Sequence, residues 1–211
     1  MAMSADDMAK AVHKALGQPA STAISPQAKG LTKSIVDEIK EGGKVAHALV
    51  TGTTAAGSPL AAGAAANGTV TGLVAASLAG RFVANGVAPS VTKETKDYAA
   101  AFVKHMLTAQ VLFPPGKITG SATSSSSSPG PLAAAQGKQG QVLGLDGDAL
   151  AALIGASRGG VSATLKAECG AIVKHITDAC EATYLPGDVK GTCPPGGGPL
   201  ASGVATGGKL S

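Results

Sequence analysis

The sequence predicts an α+β fold assembled from three internal copies of a helix–helix–β-hairpin unit, and three observations lead there. A Pro-Leu pair recurs at Pro59-Leu60, Pro131-Leu132 and Pro199-Leu200. Eight residues after each leucine stands a glycine (Gly68, Gly140, Gly208), and ten residues after it an aliphatic (Val70, Val142, Leu210), with no gap. Upstream, "KSIVDEIKEGG" (33–43), "AAFVKHMLTAQ" (101–111) and "GAIVKHITDAC" (170–180) share an apolar-apolar-polar-polar-apolar core. His105 and His175 are 70 residues apart, close to the 68 between Leu132 and Leu200. Agreement in order across separate elements distinguishes this pattern from chance likeness of Ala/Gly-rich text. The copies span 1–73, 74–145 and 146–211.

Each copy opens with a short helix, in "ADDMAKAVHKALG", "LVAASLAGRFVANG" and "DGDALAALIGASRGG". A longer helix follows. In the third copy it should open at Val161-Ser162 and run to about Ala179, because Leu165, Cys169, Ile172, Val173 and Ile176 fall on one helical face. Ser25-Pro26 and Pro89-Ser90 are start signals for its counterparts, and Gly42-Gly43, Pro114-Pro115 and Pro186-Gly187 are expected to stop the three helices.

Strands come next, in "ALVTG" (48–52), "GKITG" (116–120) and "GDVKG" (187–191). "KVAHALVTG" alternates so that either face can be buried, whereas "GTVTGL" places Val70 between two threonines as a half-buried strand. The hairpin loops differ in length, and the second carries a five-serine run, as an exposed and flexible tip would. A lone hairpin is marginal in water. The three are therefore expected to pack on one another or on a partner, as a pseudo-threefold body or a side-by-side array. Pro59, Leu60, Val70, Pro131, Leu132, Val142, Pro199, Leu200 and Leu210 are then the equivalent docking positions.

Composition narrows the function. The 211 residues include 44% hydrophobic residues but only two Tyr, three Phe and no Trp. Ligand pockets and interface hot spots lean on large aromatic anchors, while small residues favour close backbone approach. The net charge of +4 comes from scattered lysines, without the aromatic interleaving of single-stranded nucleic-acid binders. The start, "MAMSADDMAK", lacks the basic and apolar regions of a signal peptide, and no run approaches a membrane span. The reading is a soluble chain made in the cytoplasm, with no nucleic-acid partner and no membrane span.

Catalytic and metal signatures are missing. There is no Gly-x-Ser-x-Gly elbow, phosphate loop or His-Glu-x-x-His helix, and "GASRGG" (155–160) has no preceding strand. No Cys-x-x-Cys pairing suggests zinc. No enzyme activity, cofactor or metal is expected. His105, His175 and their counterpart Glu38 are read as outer-face residues beside Lys104 and Lys174, against the alternative of convergence on an axis. Cys169 is read as a small buried residue. Cys180 and Cys193 are the pair able to form a disulfide, given a chain reversal between them.

The closing "PPGGGPLASGVATGGKLS" (194–211) and its internal echoes resemble small structural proteins of tailed phage virions and related contractile injection particles. That resemblance implies a virion component of tail or baseplate, made in the host cytoplasm, with no catalytic residues to carry over. Spike-tip modules carry Pro-Ala-Ala-Arg repeats and metal-binding His/Cys, which this chain lacks, so a baseplate, tube or tail-end position is implied. The partners would be other structural proteins of a symmetric particle, a trimeric one among them. The alternative is a free-standing, adhesin-like module that binds a surface ligand through the Ser-rich loop 121–130.

Overall fold

The computed structural model describes residues 3–211 and is α+β, with six helices and a sheet closed into a six-stranded barrel. Two compact units divide the chain: 1–43, 72–109 and 144–180 form the helical one, and 44–71, 110–143 and 181–211 the barrel. The chain thus passes from helices to strands three times.

The helices are α1 (Ala5–Ala15), α2 (Pro26–Gly42), α3 (Ala75–Ala84), α4 (Lys93–Met106), α5 (Gly147–Arg158) and α6 (Ala163–Ala179). Side-chain caps set most of their starts. Ser4, Ser25, Asp146 and Ser162 accept from the backbone N–H three residues on, and Thr92 with Thr95 forms a capping box. Ser25-Pro26 and Ser162 therefore act as the sequence predicts. Pro89-Ser90 does not, because Thr92 takes over the cap three residues later. Each helix packs on the next in chain order, and α6 packs on α1, closing a ring. Four sets of fully or almost fully buried side chains fill it: Met8, Leu78 and Leu150; Val12, Phe82 and Ile154; Ile35, Phe102 and Ile172; Ile39, Met106 and Ile176.

The strands are β1 (Lys44–His47), β2 (Val50–Thr54), β3 (Ala61–Thr71), β4 (Gln110–Ala122), β5 (Gly130–Leu143), β6 (Glu181–Tyr184), β7 (Val189–Cys193), β8 (Gly198–Pro199) and β9 (Ala201–Leu210). All pairings are antiparallel, in the cycle β1–β3–β4–β5–β6–β9 and back to β1. A closed cycle leaves no edge strand in that stretch of wall. Strands β2 and β7 extend the lines of β1 and β6 toward the hairpin tips, pairing with β3 and β8, and with β5 and β9.

The outgoing path is interrupted at Ala48-Leu49 and at Leu185–Asp188, and within β4 the pairing with β5 shifts register between Leu112 and Ile118. The prolines at 114–115 and 186 therefore sit in strand irregularities, while α4 and α6 have already ended at Met106 and Ala179. Proline lacks the ladder N–H, which suits it to such breaks. The first break also resolves the two-sided reading of "KVAHALVTG". Val45 and His47 are buried, Leu49 is 60% exposed, and Val50 is buried again. Alternation slips by one residue at the break.

The returning strands bend at left-handed residues: Ala62, Ala134 and Ser202 at φ 50°, 48° and 51°, then Asn67, Gln139 and Gly207 at φ 56°, 58° and 79°. Each lies two or seven residues after its Pro-Leu leucine. A non-glycine residue in this region costs on the order of 1 kcal/mol, so the same strain held three times reflects a demand of the barrel rather than of local sequence.

Candidate functional site

The hairpin tips gather at the barrel end remote from Lys44, Gln110 and Glu181, where the outgoing strands begin. Pairwise contacts join them: Leu60 N–H donates to Gly120 O at 2.8 Å, Gly196 N–H to Ser125 O at 2.9 Å and Leu200 N–H to Gly52 O at 2.9 Å. Thr54 pairs with Gly198, and Pro59 bridges to Ser121. Their segments, "AAGSPL" (55–60), "TSSSSSP" (123–129) and "PPGGGPL" (194–200), contain no charged and no aromatic residue. Pro59, Pro131 and Pro199 are exposed there. The serine run forms a tied turn, in which Ser125 N–H donates to Ser128 O and Ser125 Oγ accepts from the N–H groups of Ser127 and Ser128. This end is thus a neutral surface built largely of backbone.

The remaining predicted docking positions are not available to a partner. Leu60 and Leu132 are each 7% exposed, Val70, Val142 and Leu210 are 2% or less, and Leu200 is half-buried. The reason is visible under each leucine. A Cβ added to Gly52, Gly120 or Gly191 would come within 2.7–3.1 Å of Leu60, Leu132 or Leu200 side-chain atoms. The recurring spacing records packing, and of the predicted set only the prolines are exposed.

Below the tips, three rings meet: His47, Phe113 and Tyr184, with centroid separations of 5.4, 5.8 and 5.3 Å. Each occupies the fourth position after its barrel segment begins, and each covers one glycine of the sequence pattern. A Cβ on Gly68 would lie 2.3 Å from His47, on Gly140 2.5 Å from Phe113, and on Gly208 2.6 Å from Tyr184. Only glycine permits this approach. His47 Nε2 lies 2.9 Å from Val111 O, and Nδ1 lies 2.7 Å from Tyr184 Oη. A carbonyl can only accept, so Nε2 carries the proton and the Tyr184 hydroxyl donates to Nδ1. Burial lowers the His47 pKa, the bond to Val111 opposing it, and raises that of Tyr184.

In the helical unit, Glu38 and His105 are 1% and 4% exposed, which corrects the outer-face reading. Each reaches the start of a following helix. Glu38 Oε1 accepts from Val74 N–H at 2.9 Å, while Oε2 accepts from Ser77 Oγ at 2.6 Å and Arg81 Nε at 3.0 Å. His105 Nε2 accepts from Asp146 N–H at 3.1 Å. Val74 has no side-chain cap to offer α3, so Glu38 supplies one from another helix. His175 Nε2 is buried and has no hydrogen-bond partner among the described residues. Glu38 and His105 thus serve the starts of two different helices, α3 and α5. Among the described residues no group of three or more His, Cys, Asp or Glu is placed to hold a metal ion, and no helix is long and apolar enough to cross a membrane.

The Cys180–Cys193 disulfide is also corrected. No chain reversal separates them, because β6 and β7 run along the same line beside β5. Glu181, next to Cys180, pairs with Gln141, whereas Cys193 pairs with Gly130, eleven residues away along β5. At about 3.3 Å per residue the gap is on the order of 30 Å, against the ~7 Å Cα limit for a disulfide. Cys193 is a buried free thiol, and so is Cys169, whose pKa burial pushes up to about 12. That fits its reading as a small core residue.

Comparison with family models, with curated proteins and with solved structures gives no match for this chain.

Proposed function

We propose that the chain is a non-enzymatic structural component of a symmetric particle, of the virion tail or baseplate kind, and that it meets a threefold partner with the neutral end formed by its three hairpin tips. The reading takes the chain as three copies of one helix–helix–hairpin unit in pseudo-threefold array. The observation that carries it is the set of ring-over-glycine contacts: His47 on Gly68, Phe113 on Gly140 and Tyr184 on Gly208, three like contacts meeting at one point. The matched left-handed residues and the matched buried sets of the helical ring support the same arrangement. A single chain that offers three similar faces can engage each subunit of a trimer at once, and three weak contacts joined rigidly gain by effective concentration.

The tips suit such a partner. Exposed backbone among Gly, Ser and Pro offers hydrogen bonds with little side-chain entropy to lose. Without charge on the tips, attachment should depend little on salt. The test is insertion of a bulky charged segment between Ser126 and Ser127, followed by assay of incorporation into purified particles. Loss of incorporation with unchanged thermal unfolding is the expected result. Normal incorporation would overturn the tip face. An adhesin-like role for loop 121–130 predicts instead that particles assemble normally and lose only surface binding.

A further inference from the structure

The helical unit contains a cleft of about 440 Å³ that the docking role does not use. Leu31, Tyr98 and Glu168 line it together, and each stands seven residues before Glu38, His105 or His175. The three longer helices therefore contribute matching positions to one cleft, with different chemistry at each. Phe82, Val87 and Pro89 add apolar wall, Arg158 lies at one side, and Glu94 is also in the lining. The volume falls within the range of small-molecule sites, roughly 300–1,000 Å³.

Its polar groups leave capacity open. Tyr98 Oη donates to Glu168 Oε1 at 3.0 Å, and Glu168 Oε2 has no hydrogen-bond partner among the described residues. The Arg158 guanidinium carbon sits 5.5 Å from the centre of the Tyr98 ring, a cation–π contact. Arg158 makes no ion pair among the described residues, and no Arg158–Glu168 pair lies within 4.0 Å. A carboxyl held beside apolar walls lowers stability relative to a leucine such as Leu31 at the matching position. Burial raises the Glu168 pKa, with the Tyr98 bond and Arg158 opposing.

We propose that this cleft binds a small zwitterion with an apolar body, an apolar α-amino acid or short apolar peptide. Its carboxylate pairs with Arg158, its ammonium with Glu168 under the added field of Glu94, and its side chain rests on Leu31, Phe82 and Val87. The cation lies over the Tyr98 ring face and the carboxyl at its hydroxyl, with no ion pair between them, and a zwitterion satisfies both at once.

The test is calorimetric titration of the full chain with L-phenylalanine, N-acetyl-L-phenylalanine and L-phenylalaninamide, read beside the ring resonances of the two tyrosines. Phenylalanine is expected to bind with Kd about 1 mM or tighter, and each analogue, lacking one charge, about tenfold more weakly. Tyr98 resonances should shift while those of Tyr184 stay in place. Glu168→Gln should abolish the preference over the N-acetyl compound, and Arg158→Gln the preference over the amide. Absence of saturable binding by about 10 mM, equal binding of all three compounds, or a response at Tyr184 alone would overturn the proposal.

Discussion

The barrel and the helical ring hold their three stretches of chain to different standards. In the barrel, positions at like spacing carry like geometry to within a few degrees, at Ala62, Ala134 and Ser202, and the residue under each of the three rings is a glycine. In the helical ring the buried positions match in kind only, as with Val12, Phe82 and Ile154, and the junction residues Glu38, His105 and His175 differ in charge. Closure of a small barrel explains the first behaviour, because strand count, stagger and tilt are linked and leave little slack. Helices joined through side chains can shift by fractions of an ångström to fit a new core residue.

The largest effect expected from that contrast is at the ring-covered glycines. Gly68→Ala, Gly140→Ala and Gly208→Ala should each destabilise by about 1–3 kcal/mol or more through overpacking. Gly80, exposed in α3 with nothing near its missing Cβ, should gain up to about 1 kcal/mol on change to alanine. Chemical denaturation of the four variants measures this, and a cost at Gly80 similar to that at the three strand glycines would erase the contrast.

Next in size is Glu38→Ala. It leaves the α3 start uncapped and Arg81 with only exposed Glu41, at a cost of about 2 kcal/mol. Glu41→Ala, on the exposed partner, should cost less than about 1 kcal/mol.

The third effect depends on pH. Burial lowers the proton affinity of both His47 and His105 below the ordinary histidine value of about 6.5. The unfolded chain then binds protons that the fold does not, so stability is complete above pH 6.5 and falls as the pH drops below it. His47→Phe should be less stable at neutral pH yet flatter below it, since Val111 O and Tyr184 Oη lose their partner while one titrating site disappears. An unchanged slope would remove His47 from the account. Smallest of all, Lys33→Ala and Lys93→Ala should each change stability by no more than about 0.5 kcal/mol, since Asp37 and Asp97 form exposed i,i+4 pairs with them.

These differences also explain what the sequence could tell. The Pro-Leu, Gly and aliphatic spacing was legible because the returning strands keep one length from Leu60, Leu132 and Leu200 onward. The outgoing path varies at its irregularities, from the break at Ala48-Leu49 to the register shift between Leu112 and Ile118, so prolines there read as helix stops. The ring cluster stayed hidden because His47, Phe113 and Tyr184 share position without sharing residue type. Glu38 and His105 look like surface residues in sequence, since the backbone N–H groups they meet belong to other helices. Cys180 and Cys193 looked close because an interrupted strand resembles a turn.

The proposed threefold partner fixes a ratio. Mass measurement of the intact complex released from native particles should therefore give one chain per three copies of the subunit it touches. A one-to-one complex, each chain holding a single subunit through one tip, would contradict the account.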